Sequence, residues 1–313
     1  MSFGEAINWR TIATGLQFPE GPVAMSDGSV LVVEIRRGCI TRVSPDGTLT
    51  RIADTGGGPN GAAIGPDGAL YVCNNGGFEW ADYGELMVPG HQPHDYFGGR
   101  IQRVDLATGE VSDLYTECNG NPLRGPNDIV FDRAGGFWFT DLGKGRARDL
   151  DRGGVYYAKA DGSSIIEAAY PADQPNGIGL SPDGTMLYAA ESPTGRIWAW
   201  DVAAPGELRG ANPLGPGGAR LLYTPTGQQF FDSLAVDEDG NICVGTIPTG
   251  AISVIGPDGS ARASISIPDY DPFVTNICFG GPDRRTAFVT ASGTGRLLAA
   301  DWPTAGTPLA YES

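Results

Sequence analysis

Six short phrases in the chain each set an oxygen-bearing side chain just ahead of an apolar run. They are FPEGPVAMSDGSVLVVE (18–34), GGPNGAAIGPDGALYVCN (57–74), LRGPNDIVFDRAGGFWFTD (123–141), DQPNGIGLSPDGTMLYAAE (173–191), QFFDSLAVDEDGNICVGT (229–246) and FVTNICFGGPDRRTAFVT (273–290). In register they stack Glu20, Asn60, Asn127, Asn176, Asp232 and Asn276 in one column. One such residue at the start of a strand is an ordinary turn former. Six in register, two carboxylates and four carboxamides, make a donor set for a divalent hard cation, which takes about six to eight oxygen ligands. The absence of His and Cys from the column argues against zinc or copper. A buried carboxylate pair with no cation would carry a large desolvation cost.

The column can converge only if equivalent elements carry it. Its members are separated by 40, 67, 49, 56 and 44 residues, a repeat length that belongs to solenoids and propellers. Each unit reads as an apolar strand, a turn of D-G type, and a second strand such as ALYVCN or TMLYAAE. A third strand follows a glycine: GCITRVSP, GGRIQRVDL, GGVYYAKA, GRIWAWDV, GAISVIGP and GRLLAADW. A weaker fourth strand shows in TLTRIAD (48–54) and EVSDLYT (110–116). The expected fold is all-β: a six-bladed β-propeller, in one domain over residues 1–313. The sixth unit runs out of chain near Trp302, and INWRTIATGL (7–16) is an unclaimed strand. Pairing of that N-terminal strand with the last blade would close the ring and remove an exposed edge. The innermost strands then lie side by side, and the polar column gathers at one mouth of the central channel.

Two insertions break the spacing. Residues 76–99, GGFEWADYGELMVPGHQPHDYFGG, form a lid-like segment in blade two that holds both histidines, His91 and His94, with Trp80, Tyr83, Tyr96 and Phe97. Loops of this length are functional or disordered, and the aromatics argue against disorder. The shorter LGKGRARDLDRGG (142–154) is basic and holds the equivalent place in blade three. The histidines read either as proton carriers or as loop packing. Arg124 reads as a contact for an anionic substrate group or as an exposed loop residue. Asp141 and Glu191, at the ends of second strands, read as hydrogen-bonding groups near the mouth or as turn-holding residues. Phe18, Phe230, Phe231 and Phe273 flank column positions and, with the insertion's aromatics, form either an apolar rim or blade packing.

Composition narrows the partners. With 37 acidic against 21 basic side chains and a net charge of −16, the chain has no basic stripe, so no nucleic-acid partner is expected. The five cysteines are odd in number and widely spaced. Cys73, Cys243 and Cys278 lie inside strand patterns and read as buried free thiols. The N-terminal MSFGEAINWR lacks the pattern of a secretory leader, and no run approaches about 18 apolar residues. The expectation is a cytoplasmic protein without a membrane segment, acting on a small molecule; its oligomeric state is not encoded in any pattern.

FPEGP around Glu20, GPNDIVFD around Asn127, QPNGIGLSPDG around Asn176 and FDSLAVDEDGN around Asp232 resemble the metal-site motifs of the regucalcin/gluconolactonase family. That superfamily of six-bladed propellers also resembles diisopropyl-fluorophosphatase and, more distantly, the paraoxonases. The resemblance spans nearly the whole chain, with the four motifs in the family's order. It implies one divalent metal at the channel mouth, usually Ca2+ with Zn2+, Mn2+ or Mg2+ as alternatives, held by Glu20, Asn127, Asn176 and Asp232. Asn60 and Asn276 would lie beside it, contacting substrate, a metal-bound water or the metal. Asp232 would act as general base or nucleophile, and Glu20 as charge-balancing ligand. His94 and Arg124 complete the candidate substrate-binding set. The implied activity is a metal-dependent lactonase. Phosphotriester or other ester hydrolysis on the same metal remains open, as does a non-enzymatic ligand-binding propeller with a structural metal. If the aromatic rim faces the pocket, the substrate is less polar than a sugar lactone.

Overall fold

The turns between first and second strands follow from their sequence. In SDGS, Gly28 takes φ +82°, which only glycine adopts without strain, and Asp27 Oδ1 accepts the Ser29 N–H at 2.9 Å. Asp67-Gly68 and Asp183-Gly184 repeat the device, with the N–H groups of Ala69 and Thr185 bonded to the aspartates. Each turn folds the chain back on itself, so the apolar runs on either side pair antiparallel.

The structure is a computed structural model that describes Phe3 and residues 7–312. Its strands assemble into six antiparallel sheets of four strands or more. Blade one runs Pro19–Ala24, Val30–Glu34, Cys39–Val43 and Leu49–Asp54, from the channel outward; blades two to five repeat the order from Pro59–Ile64, Pro126–Phe131, Pro175–Leu180 and Phe230–Val236. Blade six takes Val274–Gly280, Thr286–Ala291 and Arg296–Asp301 from its own unit and Trp9–Ala13 from the N-terminus, with Trp9 paired to Ala300. The expected six-bladed propeller, closed by its N-terminal strand, is the fold observed. Each inner strand touches the inner strands on both sides, the last meeting the first. Among the described residues, no helix is long and apolar enough to cross a membrane.

Alternation along the second strands sends side chains to opposite interfaces. Leu31 and Val33 pack towards blade two, while Val30 and Val32 pack towards blade six. The result is an apolar core between every pair of adjacent blades. The blade two–three interface is built on Tyr71, Phe131, Phe137 and Phe139, and the three–four interface on Trp138, Tyr157 and Trp200. All five cysteines are free thiols, and Cys73 and Cys243 are fully buried in these interfaces.

At the channel mouth the blades meet backbone to backbone. A Cβ on Gly21 would collide with the carbonyl oxygen of Asn60. A Cβ on Gly61 would lie 2.5 Å from Asn127 O, and one on Gly177 2.6 Å from Asp232 O. Hydroxyls fasten the junctions of blades three and four, four and five, and six and one: Thr140 Oγ1 donates to Asn176 O at 2.5 Å, Ser192 Oγ to Phe231 O at 2.5 Å, and Ser292 Oγ to Pro19 O at 2.6 Å.

Two features have no counterpart in the sequence expectations. The outer edge of blade four is split into Glu207–Arg209 and Arg220–Tyr223, both paired with Arg196–Ala204. The intervening PGGA turn is rich in Gly and Pro and reads as plain loop. Past Trp302 the chain crosses the far mouth of the channel: Thr307 N donates to Val236 O, and the Tyr311 ring meets Phe131 at 5.6 Å. It helps to bound a cavity of ≈ 890 Å³ whose wall includes Ile64, Leu180 and Val236.

Gly61→Ala tests the close approach. The added Cβ faces backbone on the neighbouring blade, which cannot give way as a side chain can. The expected loss is about 2–3 kcal/mol of unfolding free energy, read by urea denaturation, whereas Gly68→Ala, with no atom within 4 Å of its Cβ, should lose only the smaller strain of its positive φ.

Candidate functional site

The polar column reaches the axis through a repeated irregularity. In every blade the pairing of inner and second strands slips by one residue at the column: between Glu20 and Val23, Pro59 and Ala62, Pro126 and Ile129, Pro175 and Ile178, Phe231 and Leu234, and Val274 and Asn276. Such a bulge leaves one residue unpaired and re-aims its side chain. Proline at the preceding position in blades one to four has no N–H to lose from the ladder. Phe18 and Gln174, each before one of those prolines, take φ of +55° and +51°, a conformation bulky residues avoid. Packing holds Phe18 there, its ring 5.1 Å from Trp80 and 5.7 Å from Phe273.

The ends of the second strands support the entry turns. Gln17 N donates to Glu34 Oε2 at 2.6 Å, and Gly58 N to Asn74 Oδ1 at 2.9 Å. Asp141 accepts from Arg124 N and Gly125 N, both at 2.7 Å, and Glu191 Oε1 from Asp173 N at 3.1 Å. Asp141 and Glu191 thus have the turn-holding role that their position suggests.

Glu20, Asn60, Asn127, Asn176 and Asn276 are all buried, while Asp232 keeps a partly exposed face. Glu20 Oε2 accepts from Gly21 N at 2.7 Å and from Asn276 Nδ2 at 2.6 Å. Asn276 Oδ1 is bonded in turn by Ile277 N at 2.7 Å, so both ends of this amide are engaged and it orients Glu20. Asn176 Nδ2 donates to Ser192 Oγ at 3.0 Å, and Asp232 Oδ1 accepts its neighbour's N–H, from Ser233, at 3.1 Å. Two buried oxygens, Glu20 Oε1 and Asn127 Oδ1, have no hydrogen-bond partner.

A third carboxylate, Asp128, was not anticipated. It follows Asn127 where blades one, two and four have Gly21, Gly61 and Gly177, and that exception was its sequence signal. Its carboxylate accepts from Ile129 N at 2.9 Å and from Ile178 N of blade four at 3.1 Å. Burial, reinforced by the Glu20 charge, pushes Asp128 up to about 7. Burial and then Glu20 push Asp232 well above the ordinary carboxylate range. Burial also raises Glu20, against the hydrogen bonds from Asn276 and Gly21. None of the ion pairs among the described residues involves these three carboxylates. Among the described residues, no three of these carboxylates stand together as a metal-binding group. Carboxylates that feel one another's charge without a cationic side chain, beside two orphaned amide and carboxylate oxygens, fit an oxygen-liganded dication completed by carboxamides.

The remaining candidates sit apart. His94 is fully exposed, its Nε2 3.8 Å from Glu79 Oε1, and His91 is exposed as well. Arg124 is exposed; its backbone, through the bond from Tyr96 Oη to its carbonyl at 2.7 Å, anchors the long insertion. Within that insertion Trp80–Tyr83 and Leu86–Pro89 form a hairpin. Hydrogen bonds tie it to neighbouring blades: Arg36 clasps Asp82, Met87 N reaches Gly293 O, and Gln92 N reaches Gly145 O. Phe78, Trp80, Phe18 and Phe273 make a continuous aromatic wall that packs on the blade one–two core, with Phe18 buried there two residues before Glu20. Phe231 is likewise buried, in the blade four–five core. Lys144, in the shorter insertion, is also buried, and burial pulls its ammonium down to about 7 against the opposing pull of Asp141. The basic character of that insertion is plain in the sequence; that one of its cations lies inside is not.

A family model described as the SMP-30/Gluconolactonase/LRE-like region matches residues 18–293. A lactonase, drp35, from Staphylococcus saprophyticus is 33% identical over 267 residues, 84% of this chain and 74% of its own. A gluconolactonase from Zymomonas mobilis is 27% identical over 315 residues, 90% of this chain and 78% of its own. Among solved structures, regucalcin from Agrobacterium tumefaciens, described as a calcium-binding protein, matches with a TM-score of 0.76 at 20% identity over 98% of each chain, a likeness of fold.

Raised folded-state pKa values fix a sign. Such carboxyls favour the folded state at low pH, and that contribution is lost as pH rises through the folded values, about 7 for Asp128. A dication at the ring would offset the loss. Calcium added to chelator-treated protein should therefore raise the melting temperature more at pH 8 than at pH 5, by thermal-shift assay. Equal shifts at the two pH values would remove the ring as the cation site.

Proposed function

The chain belongs to the SMP-30/gluconolactonase/LRE-like family, and on that footing we propose that it is a metal-dependent lactonase working at the mouth of its propeller. The observation that carries the reading is the pair of orphaned buried oxygens, Glu20 Oε1 and Asn127 Oδ1, among carboxylates that feel one another's charge and that no cationic side chain neutralises. Glu20, Asn127, Asn176 and Asp232 would hold one divalent cation, with calcium the best match to an all-oxygen donor set. When bound, that ion polarises a carbonyl and acidifies water.

The chain's own residues divide the remaining work. Asp232 is the ring member open to the mouth, with Oδ1 fixed by Ser233 N, so its carboxylate takes the proton from the attacking water. The water oxygen bonds to the lactone carbonyl carbon, the ring C–O bond breaks, and the proton held on Asp232 passes to the departing alkoxide. The product is the open hydroxy acid. Glu20, clamped by Gly21 N and Asn276 Nδ2, supplies fixed negative charge. Asn60, buried on blade two's inner strand, is the amide left to meet substrate. The aromatic wall of Phe18, Phe78, Trp80 and Phe273 favours a lactone with an apolar body over a bare sugar lactone.

A panel of sugar, aliphatic and aromatic-fused lactones, assayed on chelated and calcium-restored protein, tests this. Activity should vanish with the metal and return with it, and Asp232→Asn should lower kcat by at least about 100-fold. Hydrolysis that survives verified metal removal would sink the proposal. Full activity in a metal-loaded Asp232→Asn would leave the base role to another group.

A further inference from the structure

Among the described residues, Lys144 has no ion-pair partner. Its side chain is 1% exposed. Nζ donates to Gly77 O at 2.5 Å and to Asn75 Oδ1 at 3.2 Å, and it lies 3.9 Å from the centre of the Phe78 ring. A second ring, Tyr96, stands 5.8 Å away. The nearest carboxylate to influence it, Asp141, is already bonded by the N–H groups of Arg124, Gly125 and Gly143. Burying an ammonium among neutral groups is costly, so a residue there for packing alone would be better as an apolar one.

All the groups it holds lie within four residues, Asn75 to Phe78, where blade two's chain leaves the sheet to begin the long insertion. Phe78 meets Trp80 edge to face at 6.2 Å, Trp80 packs on Phe18 at 5.1 Å, and Phe18 stands two residues before Glu20. One file of contacts thus runs from the ammonium to Phe18, two residues along the chain from Glu20. The insertion's other ties, Arg36 to Asp82, Met87 to Gly293, Gln92 to Gly145 and Tyr96 to Arg124, fasten its later part. At its root Asn75 N bonds Gly58 O, and the N–H groups of Gly76 and Gly77 bond Asn74 and Asn75, all within blade two; Lys144 adds a tie from blade three.

We propose that Lys144 is a positioning residue that pins the root of the 76–99 insertion and so sets the aromatic wall beside the ring, fixing how an apolar lactone body is held. The kinetic part rests on the lactonase reading; the pinning does not. A cation over an aromatic face with two carbonyl acceptors restrains rotation and translation of the segment together, which an apolar side chain in the same space cannot do.

The test compares Lys144→Met, which keeps the stem and removes the charge, with Lys144→Gln, which removes the charge and keeps a hydrogen-bond donor. Hydrogen–deuterium exchange of the ligand-free protein reads the pinning without any substrate. In Lys144→Met, exchange over residues 75–81 should rise about tenfold, the size expected for losing a desolvated cation–π contact, with the inner strands unchanged. Kinetics reads the consequence: KM for an aromatic-fused lactone should rise about tenfold in both variants, with kcat kept and KM for a small aliphatic lactone unmoved. Unchanged exchange at 75–81 overturns the pinning, and equal KM changes for both lactones, or a fall in kcat alone, overturns its role in holding substrate. If Lys144→Met does not fold, the same exchange and kinetic readouts on Lys144→Gln decide both points. If the native protein opens no lactone, the exchange result stands and the lactonase reading falls alone.

Discussion

Everything at the mouth of this propeller depends on how closely its inner strands approach. Where Gly21, Gly61 and Gly177 face the carbonyls of Asn60, Asn127 and Asp232, there is room for backbone and nothing more. Strands that close cannot all keep regular pairing with their own second strands and still present side chains to the axis. The one-residue slip in each blade resolves the conflict by turning the polar residue inward while the rest of the strand stays in the sheet. Hydroxyls on Thr140, Ser192 and Ser292 then bond the carbonyls so displaced. Scaffold and site are products of the same crowding.

Crowding also sets the electrostatics. Glu20 and Asp128 are taken out of water while Asp232 keeps a partly exposed face, and the Glu20 charge raises the proton affinity of the two aspartates. Asp128 satisfies its oxygens with backbone N–H groups from blades three and four, so it contributes charge and cross-linking. Glu20 and Asn127 keep an oxygen each without a donor. An arrangement so costly in isolation would be preorganised for the proposed cation, because the expense of assembling the donors is met in folding and not in binding. The asymmetry matters too: carboxylates from blades one and five against carboxamides elsewhere give a sixfold frame a directional site.

Most of the architecture was legible because repetition makes local patterns corroborate one another. The six units, their D-G turns, the polar column and the stray N-terminal strand all carried periodic signals. Features that break the repeat were harder to read. A slip in register leaves no mark in hydrophobic alternation over six residues. Asp128 lies one place outside the polar column, so the repeat pattern does not single it out, although an aspartate among glycines is a visible anomaly. Lys144 looks like one more charge in a basic loop; its burial depends on a second insertion from another blade, which no local pattern encodes. His94 illustrates the reverse case. Its chemistry is suggestive, but the loop that carries it faces solvent.

The seam between blades six and one has a meaning in time as well as in space. Glu20 receives its side-chain hydrogen bond from Asn276, and Pro19 its hydroxyl contact from Ser292, across 256 and 273 residues of chain. During synthesis blade one emerges early, with its carboxylate in place but unoriented, and waits for nearly the whole sequence before the opposing amide arrives. Contacts of such sequence separation form late in folding. The site is therefore assembled by the last event of ring closure, and a nascent chain stalled within blade five would have most of its sheets but an unfinished binding ring.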